Sequence, residues 1–196
     1  MNVKKILFLA ASSIKLFIIL LLFISNSKAV ETNIKYYSDD KGILSLMYHR
    51  FNEDKYPSTN IQMDVFKNQI EIIKKFKYSF YDPKNLEGNF DTPKSEKKIL
   101  ITIDDAFSSF YEFAWPYLKK EKIPFILFVS TEAVGKNGYM TWDQIRELEK
   151  ETIAYIGNHS HSHDYLVDLK NDEFIMDINS SSLIFKERLG YNPIFF

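Results

Sequence analysis

Two short segments hold residues that could do chemistry together. The first is Asp104-Asp105, directly after the apolar run Ile99–Ile103. The second is His159-Ser160-His161-Ser162-His163, just past Ile153–Ile156, with three of the chain's four histidines; the fourth, His49, ends the run Ile43–Tyr48. Imidazole and carboxylate together suit a divalent metal such as zinc, iron or nickel. Which histidines would bind depends on the backbone. His159 and His163 share a face of a helical turn, whereas His159 and His161 share a face of an extended chain. Adjacent carboxylates on an extended chain point to opposite sides, so Asp104 and Asp105 should divide the work, one binding a metal and one acting as a base. Two plainer readings stand beside these. An Asp-Asp pair also fits the start of a helix, and a serine-histidine segment also fits a polar loop.

Four elements must position these residues. Ile43–Tyr48, Ile99–Ile103, Phe125–Val129 and Ile153–Ile156 are apolar throughout rather than alternating, the pattern of parallel strands covered on both faces. Helical spacings separate them. Phe66, Ile70 and Ile73 recur at i, i+4 and i+7, and Phe110, Phe113, Ala114, Tyr117 and Leu118 do the same, with Pro116 as a kink. Thr141 to Gln144 reads as a capping box for a helix burying Ile145 and Leu148. Asn171 should cap a last helix carrying Phe174, Ile178, Phe185 and Leu189, closed by Gly190. Strands alternating with helices predict an α/β fold with a parallel sheet. Each strand then leads into polar residues: His49-Arg50, Asp104-Asp105, Ser130-Thr131-Glu132 and the histidine segment. In such folds the carboxyl ends of the strands share one face, so these groups should meet there.

Composition narrows the rest. The 196 residues carry a net charge of -1 and no cysteine, with 45% hydrophobic and 26% charged residues. That describes one globular domain, with no basic excess to suggest nucleic acid. Lys4 and Lys5, the apolar run Leu16–Ile24 and Ser27-Lys28-Ala29 form a secretory signal over residues 1–29. Left uncleaved, the segment would be the chain's membrane contact. Residues 30–42 would be an N-terminal segment and 43–196 the domain, in a periplasmic, cell-envelope or extracellular setting. Ile194-Phe195-Phe196 looks like the beginning of a fifth strand. A closed (β/α) barrel typically takes about 200–250 residues, so the expectation is an incomplete barrel of four to five parallel strands.

Ile101-Thr102-Ile103-Asp104-Asp105 resembles the T-F-D-D motif of the polysaccharide deacetylases, the NodB-homology group of carbohydrate esterase family 4. His159 to His163 resembles that family's H-[ST]-x-x-H motif. Leu46-Met47-Tyr48-His49-Arg50 and Tyr139-Met140-Thr141-Trp142 are similar to flanking features of the branch containing poly-N-acetylglucosamine deacetylases. The resemblance implies that Asp104 is the general base and that Asp105, His159 and His163 hold a divalent metal, Zn2+ first, with Co2+, Ni2+ or Fe2+ as alternatives. It implies an N-acetylated polysaccharide as substrate and hydrolysis of its acetamide groups. His49 and Trp142 are candidates for supporting the site or touching substrate; a hydrogen-bonded histidine and a packed tryptophan are the plainer readings. Two departures matter. Ala106 stands where the family has glycine. The family's later motifs, including a histidine that serves as general acid, would follow Phe196, so impaired activity is expected. The alternative is a silent remnant that binds metal or glycan. A non-haem iron oxygenase would also use two histidines and a carboxylate, but the helix-strand alternation argues against it.

Overall fold

The computed structural model describes residues 43–86 and 98–196. The expected export signal and N-terminal segment lie outside the described residues. Among these described residues, seven strands and four α-helices follow in chain order. They are β1 (Leu44–Tyr48), β2 (Arg50–Phe51), β3 (Asn60–Ile61), α1 (Met63–Lys75), β4 (Ser79–Phe80), β5 (Lys98–Ile103), α2 (Trp115–Glu121), β6 (Phe125–Val129), α3 (Trp142–Glu149), β7 (Ala154–Asn158) and α4 (Asn171–Leu189).

The sheet runs β1-β5-β6-β7, with β4 also pairing β5, and every pairing in it is parallel. The four apolar runs are thus four neighbouring strands. The expected fifth begins as a parallel bridge between Gly157 and Phe195, with Asn158 N donating to Phe195 O at 2.8 Å. β2 and β3 form a separate short parallel ladder.

The core lies where helix faces meet the sheet. Phe66, Ile70 and Ile73 are the buried residues of α1, as their spacing predicts. Ile101, Ile103, Phe125, Leu127 and Val129 are fully buried on the central strands. Aromatic rings tie the layers together: Phe51 meets Phe66 edge-on at 5.2 Å, and Phe110 meets Phe125 at 5.4 Å. Burying one such side chain stabilises by about 1.5–3 kcal/mol. β1 differs from its expectation. Leu44 and Met47 are 57% and 61% exposed, because β1 is an edge of the sheet among the described residues. Apolar composition alone does not distinguish a central strand from an edge strand.

The change of winding near Pro116 is a single π-turn, Phe110–Ala114, from which α2 departs with the proline in its first turn; lacking an N–H, the proline cannot join the regular ladder there. α3 opens with the predicted capping box: Gln144 N donates to Thr141 Oγ1, and Thr141 N donates to Gln144 Oε1 at 2.8 Å. α4 is capped one residue earlier than its sequence suggested. Lys170 is the N-cap, and its N–H donates to Glu173 Oε2 at 3.0 Å. The buried stripe of α4 also differs, being Asp177, Ser181 and Phe185, while Phe174 is 41% exposed.

Candidate metal centre and active site

Parallel pairing brings the carboxyl ends of β1, β5, β6 and β7 to one edge of the sheet. β1 and β5 are in register through Tyr48 and Ile103, and Asp104 N donates to Tyr48 O at 2.8 Å. His49 and Asp104 therefore leave their strands side by side. β7 is tied to β6 in the same way, since His159 N donates to Val129 O at 3.0 Å. Thr131 N and Glu132 N then donate to the carbonyls of Ser160 and His161.

Three side chains converge at that edge. One ligand atom each from Asp105, His159 and His163 lies within 4.8 Å of the others. Asp105 Oδ1 is 2.9 Å from His163 Nε2 and 3.6 Å from His159 Nε2. The two imidazole rings stand 4.9 Å apart. Yet Asp105 Oδ1 is buried and accepts no hydrogen bond among the described residues, and neither does Asp104 Oδ1. A buried carboxylate oxygen without a partner is costly. Ligands about 2.0–2.2 Å from a tetrahedral zinc lie roughly 3.3–3.6 Å from one another, so the donor set and its unpartnered oxygen fit a divalent ion. Burial, moreover, pushes the His159 imidazole below its ordinary pKa, against the pull of Asp104 and Asp105. That favours the neutral ring a metal needs.

Asp104 is buried beside this trio but is not part of it. Burial raises its carboxyl above the ordinary range; His159 and His49 pull it down, and Asp105 pushes it up. A carboxylate with a raised pKa is a better proton acceptor. The extended-chain argument for opposite-facing aspartates does not describe the backbone found here. β5 ends at Ile103, and Asp105 and Ala106 both take left-handed conformations, with φ of 70° and 54°. Each costs about 1–2 kcal/mol for a residue with a Cβ. Ala106, where glycine was the expectation, is accommodated with its side chain buried.

The histidine segment neither winds into a helix nor stays extended. Ser160 and His163 are left-handed, with φ of 68° and 63°, and that double turn brings His159 and His163 together. His161 points elsewhere: its Nδ1 lies 2.9 Å from Thr131 Oγ1. The loop is held mainly from below. Asp177 of α4 accepts from the backbone N–H groups of His161 and Ser162 at 2.8 and 2.7 Å. Burial tends to raise the Asp177 carboxyl, but those two N–H bonds, together with the Ser162 side chain and His161, outweigh it and hold the group below the usual carboxylate range. Asn158 Oδ1 accepts from Ser160 N, and Asn158 Nδ2 donates to Ser181 Oγ, both at 2.9 Å.

A cleft of about 350 Å³ opens beside Asp105 and His163, walled by Phe107, Tyr139, Glu132 and Lys136. The Phe107 and Tyr139 rings are 4.9 Å apart. Arg50 packs its guanidinium between Phe107 and Tyr56, at 3.4 and 4.0 Å from the ring centres, and pairs with Glu53 at 2.8 Å. This wall is rigid. A second cleft, of about 550 Å³, opens on the other side of His159 and His163 against Tyr165, Leu166, Val167 and Phe196. Trp142 lines neither cleft; its ring packs edge-on against Phe185 at 5.8 Å.

Fold and site together define an α/β protein with two histidines and one aspartate gathered beside a second, buried aspartate at the carboxyl edge of a parallel sheet. The polysaccharide deacetylase family model matches residues 91–196, more than half of the chain, and the chain belongs to that family. It is 28% identical over 123 residues to the putative polysaccharide deacetylase YxkH of Bacillus subtilis, covering 62% of this chain and 42% of that protein. It is 26% identical over 170 residues to the poly-beta-1,6-N-acetyl-D-glucosamine N-deacetylase of Staphylococcus aureus strain MRSA252, covering 76% of this chain and 57% of that one. The chain spans about half the length of the curated relatives it matches. Among solved structures, IcaB from Ammonifex degensii superposes with a TM-score of 0.69 at 27% identity, over 78% of this chain and 72% of that chain. The Streptococcus pyogenes deacetylase PplD shares the fold, with a TM-score of 0.66 at 23% identity over 78% and 71% of the two chains.

Proposed function

We propose that this protein is an exported, metal-dependent hydrolase that removes N-acetyl groups from a polysaccharide containing N-acetylglucosamine. The observation that carries the reading is the convergence of Asp105, His159 and His163 next to buried Asp104, whose Oδ1 accepts no hydrogen bond among the described residues. Family membership and the similarity to poly-N-acetylglucosamine deacetylases support the choice of bond and sugar. The export signal read over residues 1–29 supports a substrate outside the cytoplasm.

Asp105, His159 and His163 would hold the ion, Zn2+ being the first candidate. A divalent ion in that position supplies Lewis acidity, which polarises an acetamide carbonyl and eases deprotonation of a water. Asp104 takes that water's proton on its carboxylate; its raised pKa makes the transfer easier. Acetamide cleavage then needs a proton on the departing amine. His49 follows Tyr48 at the end of β1, and the Tyr48 carbonyl accepts from Asp104 N at 2.8 Å. We assign it the role of orienting Asp104, and the proton that Asp104 takes from the water is the one returned to the amine. Phe107 and Tyr139 give the cleft an aromatic wall on which a sugar ring can lie.

The test loads the full chain with Zn2+ or Co2+ and measures acetate release from β-1,6-linked N-acetylglucosamine oligomers. Chelator-sensitive release is the expected result. A folded, metal-loaded chain that releases no acetate from any such oligomer would overturn the catalytic reading and leave a binding remnant.

A further inference from the structure

We propose that Asp177 is a positioning residue for the metal centre: from the buried stripe of α4 it fixes the His159–His163 loop in the one shape that lets both imidazoles face Asp105. This inference rests on the functional reading above and deepens it.

Asp177 sits where helix packing asks for an apolar side chain. The buried positions of α4 fall at 177, 181 and 185, a spacing of four, and only the last is hydrophobic. Asp177 is 8% exposed and Ser181 fully buried. An acid in that place must be compensated. Among the described residues no Lys or Arg pairs with Asp177; the compensation is the pair of N–H bonds from His161 and Ser162, with the Ser162 hydroxyl beside them. One carboxylate oxygen goes to each, so the group spans two successive peptide units.

Those two peptides are the middle of the ligand loop. On one side lies Ser160, on the other His163, both left-handed. A loop with two such residues is unfavourable by itself and needs outside support to persist. Asp177 holds its centre, and Ser181 braces Asn158 at its start, which in turn accepts from Ser160 N. His163 N donates to Ser160 Oγ, closing the turn. One face of α4 therefore serves the loop at two successive turns. Groups that orient metal ligands typically change metal affinity about 10–100-fold when removed.

The test compares Asp177→Asn with Phe185→Leu, a core change two turns along the same helix that touches no loop amide. An asparagine can accept from only one of the two N–H groups, and its own NH2 opposes the other. Three quantities are read on the full chain: Zn2+ affinity by chelator competition, the visible spectrum of the Co2+-loaded protein, and amide exchange of His161 and Ser162 in metal-free protein. Asp177→Asn should weaken Zn2+ binding about 10–100-fold, alter the Co2+ spectrum and speed exchange at one or both amides. Phe185→Leu should lower the melting temperature with affinity and spectrum unchanged. Equal losses of affinity in both variants, or wild-type affinity and exchange in Asp177→Asn, would overturn the proposal. Should Asp177→Asn not fold, metal-free wild type still decides. His161 and Ser162 amides must exchange more slowly than that of exposed Tyr165, and equal rates would overturn the assignment. A wild-type chain that binds no divalent ion speaks against the functional reading, while the exchange data judge Asp177 on their own.

Discussion

His163 Nε2 stands 2.9 Å from Asp105 Oδ1, yet that oxygen accepts no hydrogen bond among the described residues. Proximity without hydrogen-bond geometry is how two ligands look when both aim at a third point between them. His161, two residues earlier, is instead engaged with Thr131. His163→Ala should therefore lower Zn2+ affinity by at least an order of magnitude, and His161→Ala should leave it within a few-fold of wild type. Equilibrium dialysis with metal analysis checks this. Retention in the first variant and loss in the second would move the ligand pair to His159 and His161.

The two aspartates should fail in different ways. Asp105→Asn removes an anionic ligand, so the metal should leave first. Asp104→Asn keeps the ligand trio but cannot accept a proton, and general-base groups typically contribute about 10²–10⁴-fold to rate. The expected pattern is metal retained with kcat down by about that factor for Asp104→Asn. Metal content and acetate release measured on the same samples decide it; a reversed pattern would exchange the two roles.

His49 leaves β1 beside Asp104, one residue beyond the Tyr48–Ile103 pair. His49→Asn should bind Zn2+ like wild type and lower kcat, because Asp104 loses the neighbour that orients it. Wild-type kcat in this variant would return His49 to a purely structural hydrogen-bonding role.

Much of this arrangement was legible because it depends on local pattern. Parallel strands must place their carboxyl ends together, so β1, β5, β6 and β7 predict which polar residues meet. Capping chemistry at Thr141 was readable for the same reason. What escaped the sequence depends on tertiary context. Asp177 lies among Phe174, Ile175, Met176 and Ile178, and apolar spacing pointed to Phe174 and Ile178 as the inward residues. The helix instead turns an acid and a serine inward, because the loop above it has N–H groups to satisfy. A polar residue at a helix position flanked by apolar ones, with Ser181 four residues on, was the available signal. The pairing of His159 with His163 also stayed open, because neither a helical nor an extended backbone describes a loop with left-handed residues at Ser160 and His163.

Gly157 provides a prediction that links packing to the metal centre. It sits opposite Phe128 in the β6–β7 register, and a Cβ placed on it would lie 2.4 Å from Phe128 Cδ1 and 2.6 Å from Cε1. Glycine is required there because the Phe128 ring occupies the space a side chain would fill. The same ring is 6.1 Å from the His159 imidazole, so a shift of the ring changes the surroundings of that ligand. Gly157→Ala forces the ring aside, and overpacking of this kind typically costs about 1–3 kcal/mol. Phe128→Leu removes the obstacle, since a smaller, flexible side chain can yield to the new methyl group. The single variant Gly157→Ala should therefore melt at lower temperature and bind Zn2+ more weakly, and adding Phe128→Leu should restore part of the stability. Thermal unfolding of both single variants and the double variant measures the coupling directly. Strict additivity would show that the ring does not hold the space, and that the glycine answers to some other demand of the strand.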